Sequence, residues 1–85
     1  MKTIIIHCSP VSFYTIDSIV DGVPEKTQMQ IFTNNLNKAV YSLLEKNTRI
    51  YLKGSLKFTE KVKTRLKEYI VTQNSNFKDI VIEQL

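Results

Sequence analysis

Three short stretches of this chain hold residue types that could do chemistry. His7-Cys8-Ser9 groups an imidazole, a thiol and a hydroxyl. A reactive thiolate needs a cation or helix N-terminus to lower its pKa, and a base within hydrogen-bond reach. Adjacent residues on a strand point to opposite faces, so His7 is badly placed to serve Cys8. One His and one Cys are also too few ligands for zinc. Cys8 is therefore expected to fill the core, with His7 near a strand end. In Lys53-Gly54-Ser55, the second stretch, backbone N–H groups at a helix start can hold an anion, helped by Lys53 and Lys57. The same residues also have a structural use, with Gly54 turning the chain and Ser55 capping the helix.

The third stretch is the most distinctive. Between Arg49 and Lys67 lie Arg49, Lys53, Lys57, Lys61, Lys63, Arg65 and Lys67, against the single acid Glu60. The segment carries +6, so the rest of the chain is slightly acidic. On a helix, Lys57, Lys61 and Arg65 recur every four residues and form one ridge, with Lys63 and Lys67 on another. Such a ridge can follow a phosphate backbone, or it can be a solvated helix face. Tyr14, Tyr41, Tyr51 and Tyr69 are the aromatic candidates for base stacking, although Tyr51 and Tyr69 fall where core or boundary residues are expected. Asn34, Asn35 and Asn37 could meet polar groups on a partner, but capping accounts for the first two.

These residues depend on the elements that carry them. Lys2 to Cys8 is a β-branched run, continuous rather than alternating, as in a strand buried on both faces. Ser9-Pro10-Val11-Ser12 breaks it. Phe13 to Val20 is a second strand, and Asp21-Gly22-Val23-Pro24 is turn chemistry. Lys26 to Thr33 alternates as a third strand, although Met29, Phe32 and Leu36 also fit a helix that begins early. Leu36, Ala39, Val40, Leu43 and Leu44 make a helical stripe from Asn35 that ends at Asn47-Thr48. Arg49 to Lys53 is a strand, and Phe58, Val62, Leu66, Tyr69 and Ile70 mark a second helix. After the polar loop Gln73-Asn74-Ser75-Asn76, Asp79 to Leu85 is the last strand. The order is β-β-β-α-β-α-β. Right-handed crossovers predict one α/β (α+β) domain over residues 1–85, with a mixed sheet in the order 3-2-1-4-5.

Composition bounds what such a domain can be. Eighty-five residues, 42% hydrophobic and 24% charged, suit one small globular unit rather than disorder. No window approaches the ~18 consecutive apolar residues of a membrane span, and Ile4-Ile5-Ile6 is too short for a secretory signal. The lone Cys8 cannot make an internal disulfide, so a reducing cytoplasm is the expected setting.

The element order resembles that of the ribonuclease H-like fold, and local residues add to the likeness. Glu25-Lys26-Thr27 falls where that family's third strand begins. Thr33-Asn34-Asn35 opens the first helix as a similar Thr-Asn-Asn does in bacterial ribonucleases H. Arg49-Ile50-Tyr51-Leu52-Lys53-Gly54-Ser55 is similar to the strand and turn that carry a catalytic Asp before a Ser. The likeness spans nearly the whole chain. It implies carboxylates at the end of the first strand, in the first helix and after the fourth strand, holding two Mg²⁺ ions. This sequence places His7 (or Cys8), Lys38 and Gly54 there. None is a carboxylate, and Lys38 would repel metal ions. The resemblance thus implies the fold without its hydrolytic centre, no metal or other cofactor, and no enzyme activity.

The expected function is a non-catalytic binding module, a small accessory protein of a low-GC bacterium or of its phage or mobile element. Arg49, Lys53, Lys57, Lys61 and Arg65 are its expected contacts with nucleic acid or with the acidic surface of a nucleic-acid-processing host protein, inhibition being one expected role. The alternative is an oligomer that pairs through a free edge strand guarded by only a few charges. It would hold a small phosphorylated ligand at Gly54 and Ser55, at the sheet's carboxyl end.

Overall fold

The structure, a computed structural model, describes residues 1–9 and 12–85. The expected break at Ser9 to Ser12 falls, at Pro10 and Val11, outside the described residues. The elements are β1 (Lys2–His7), β2 (Phe13–Val20), β3 (Val23–Phe32), α1 (Leu36–Leu43), β4 (Thr48–Lys53), α2 (Leu56–Gln73) and β5 (Val81–Gln84). Single 3-10 turns at Thr33–Asn35 and Ser75–Phe77 precede α1 and β5. Together they form a single small α+β domain with a mixed five-stranded sheet in the order 3-2-1-4-5. β2 is antiparallel to β1 and β3, whereas β4 is parallel to β1 and β5 to β4. No helix among the described residues is long and apolar enough to cross a membrane.

Both crossovers step the same way across the sheet, so their right-handedness places α1 and α2 on one face. The core lies between that face and the helices: Ile4, Ile6, Ile16, Ile50 and Leu52 from the sheet meet Val40, Leu66 and Ile70, all fully buried. This corrects the expectation for β1. Its side chains alternate between buried and half-buried, with Ile5 and His7 on a face that no helix of the described residues covers. The described residues form two α-helices, and both are spent on the other side.

Residues 26 to 32 are strand and not helix, Thr33 already opens the 3-10 turn, and β3 starts three residues before the expected Lys26. The turn shrinks to Asp21-Gly22, both at positive φ (50° and 79°), and Val23 already pairs with Val20. Two-residue hairpins favour such conformations because they match strand twist. The β3 edge is also better guarded than expected. Pro24 lies within it, and a bulge opposite Asp17 puts Gln28 at φ 52°; prolines and bulges both discourage edge pairing.

Lys2 is a further surprise. It is buried on the helix-facing side, with Nζ 3.5 Å from Glu25 and 4.0 Å from Glu45. Its aliphatic stem covers core while its ammonium stays paired.

Candidate functional site

The basic segment does not form one patch. On β4, Ile50 and Leu52 point into the core, so the alternating Arg49, Tyr51 and Lys53 stand on the open face of the sheet. Lys57, Lys61 and Arg65 lie on α2, in the helical layer on the opposite side, and all three are exposed. The structure thus brings three of the five expected contacts together and separates the other two. The second ridge divides as well. Lys63 is exposed, but Lys67 donates from Nζ to the carbonyls of Lys78 (2.6 Å) and Ile80 (3.1 Å) and pins the approach to β5.

Val62, Leu66 and Ile70 anchor α2, and the helix period turns Lys57, Lys61 and Arg65 outward at successive turns. None of the three belongs to an ion pair among the described residues. Lys61 and Arg65 overlook a cleft of about 400 Å³ between α2 and the start of α1, whose other polar lining includes Tyr14, Asn34 and Asn37. Capping was the expected use of Asn34 and Asn35, and the structure corrects this. Asn35 occupies the N-cap of α1 but makes no side-chain cap bond, and no side chain caps the preceding turn. Burial holds the Tyr14 phenol above its ordinary pKa, while nearby Arg65 pulls the other way. Tyr41 and Tyr69 pack edge to face with ring centres 6.2 Å apart, and Tyr41 meets Phe77 likewise, so these rings support the helical layer.

Gly54 and Ser55 are placed by packing. Gly54 has φ +145°, and a Cβ there would lie 2.6 Å from the Cys8 carbonyl oxygen. The close approach of α2's start to the end of β1 therefore requires glycine. Ser55 sits at the N-cap, but its side chain makes no cap bond, contrary to expectation. Neither residue lines the cleft between α1 and α2.

Cys8 and His7 lie on opposite faces. The Cys8 thiol is buried, and burial raises its pKa to about 11, so it stays protonated at neutral pH. His7 Nε2 lies 2.9 Å from Asp17 Oδ2 on the open face, and the Gln28 backbone N–H donates to Asp17 Oδ1 at 2.7 Å. The Gln28 bond, then the His7 bond, hold the Asp17 carboxyl below its ordinary pKa. Sequence reasoning missed this pair. The signal would have been strand register, because His7 and Asp17 become diagonal neighbours only once Ile5 is set opposite Asp17. Among the described residues, no group of three or more His, Cys, Asp or Glu side chains converges in a way that could hold a metal ion.

The fold and this surface define a small α+β domain with a cationic helix beside a polar cleft. Compared with protein-family models, curated proteins and solved structures, the chain matches none.

Proposed function

We propose that this chain is a non-catalytic binding module, a ribonuclease H-like domain without that family's carboxylates, whose α2 ridge engages the phosphate backbone of nucleic acid. The strand order and the two crossovers on one side support the fold likeness. At the three positions where the family has acids, this chain has His7 bound to Asp17, the exposed Lys38, and Gly54 packed against Cys8. A cytoplasmic accessory role in a phage or mobile element suits its size and lone buried thiol.

One observation carries the proposal. Lys57, Lys61 and Arg65 are exposed along one helix with no carboxylate partner among the described residues, two of them beside a cleft that also presents Asn34 and Asn37. Unpaired cations in line release counterions when they meet phosphates, and side-chain amides can add hydrogen bonds to sugars or bases. Arg49 and Lys53 belong to the other face and drop out of this contact.

The test is oligonucleotide binding measured against salt. Log affinity should fall linearly with log salt, with a slope of about −0.9 per phosphate contact on duplex DNA. Lys57→Glu with Lys61→Glu should weaken binding and lower that slope by about two. An unchanged affinity in the double variant overturns the proposal. So does recovery from the host of an acidic protein partner that resists nuclease and salt, with no nucleic acid bound.

A further inference from the structure

The open face of the sheet has a pattern of its own. Strand register sets Asp17, Ile5, Tyr51 and Glu83 in one row across β2, β1, β4 and β5. Arg49, Tyr51 and Lys53 form a second line along β4, on the same face. The two lines cross at Tyr51, with anions at the ends of one and cations at the ends of the other. Strand spacing puts Asp17 about 10 Å and Glu83 about 5 Å from Tyr51, and residue rise puts Arg49 and Lys53 about 7 Å away on either side.

The face also lacks a cover that its strands call for. β1, β4 and β5 are mutually parallel, and parallel sheets are normally buried on both faces. The unbroken Ile4-Ile5-Ile6 run has the composition of a strand covered on two sides, yet only Ile4 and Ile6 are fully buried.

We propose that a second copy of this chain covers the open face, its sheet crossing the first at about 90°, one of the two ordinary ways that sheets stack. A two-fold axis through Tyr51, lying between the sheets at about 45° to β4, lays the cation line of each copy over the anion line of the other. Arg49 and Lys53 of one protomer then meet Asp17 and Glu83 of its partner, and the contacts repeat by symmetry. Ile5 and Tyr51 fill the centre. The molecule measures 30 × 29 × 21 Å, so the broad face is large enough for the roughly 800 Å² per partner of a standard stable interface. The two α2 ridges remain on the outside, pointing away from each other.

Sedimentation equilibrium tests this with the full chain. The unaltered protein should be a concentration-dependent dimer. Arg49→Glu with Lys53→Glu makes the face uniformly acidic and should raise the self-association Kd at least about tenfold, a change of about 1.4 kcal/mol. Glu83→Lys makes the face more basic and should also weaken self-association. An equimolar mixture of the two variants should restore dimers, because each then offers what the other lacks. The three altered residues, Arg49, Lys53 and Glu83, are exposed, and circular dichroism confirms folding of each variant before weighing. A monomer up to millimolar concentration overturns the proposal, as does a mixture that dimerises no better than its components. Neither outcome bears on nucleic-acid binding by α2.

Discussion

The two faces of this sheet come from the same strands and differ in nearly every physical respect. The face under α1 and α2 is a mostly aliphatic core from Ile4 to Ile70, with the paired Lys2 at its margin. The open face is half-buried at best and mixes Ile5 and Tyr51 with Arg49, Lys53, His7 and Asp17. Alternation along each strand creates both at once, since every residue sent inward sends its neighbour outward. Charge counted along the chain therefore cannot be assigned to a surface until each residue's side of the sheet is known. The +6 segment contributes to both sides.

The sharpest way to break this contrast is to truncate one residue on each face. Leu66→Ala removes a fully buried side chain and should cost about 2–5 kcal/mol, a large share of the roughly 4–13 kcal/mol expected for 85 residues. Ile5→Ala, measured by urea denaturation at concentrations too low for association, should cost no more than about 1 kcal/mol. Equal losses would mean that the open face is as well packed as the core.

Gly54→Ala probes the junction where the chain leaves the sheet for the helical layer. The added Cβ meets the Cys8 carbonyl at 2.6 Å, and the positive φ is strained for any other residue. A loss of about 2 kcal/mol in urea midpoint terms is expected. An unchanged midpoint would show that β1 and α2 can separate without penalty.

The smallest effect lies on the open face at Asp17. Its pKa is depressed in the folded state, so its contribution is present above the unfolded value near 3.8 and fades as pH falls through the lower folded value. Asp17→Asn should leave a flatter loss of stability below pH 3.8 and cost at most about 1 kcal/mol at neutral pH, since the group is partly solvated. Thermal denaturation of both proteins from neutral to acidic pH would reveal this. Parallel curves would mean that the Gln28 and His7 bonds do not favour the ionised form.

Much of the fold was legible because local signals and global topology agree. Phe13 to Val20 alternates cleanly and is β2 without adjustment. The stripes of α1 and α2 predicted the buried Leu36, Val40, Val62, Leu66 and Ile70. The misses have physical causes. Val23 and Pro24 look like turn residues, yet the hairpin closes in two residues and an edge strand tolerates proline. Asn35 and Ser55 have capping side chains at N-cap positions, but position alone does not make the bond. The candidate site was half legible. Four-residue spacing identified the Lys57, Lys61 and Arg65 ridge, whereas spacing along the chain could not show that Arg49 and Lys53 lie behind the sheet.

By itself the sequence determined the element order, the strand order and the helical ridge, because hydrophobic periodicity and the right-handed crossover depend on the chain alone. Only the tertiary structure decided which face each charge occupies, that His7 meets Asp17, and that Tyr51 stands where the two charged lines cross. Those relations are set by register between strands distant in sequence, and a one-residue slip would send each side chain to the other face.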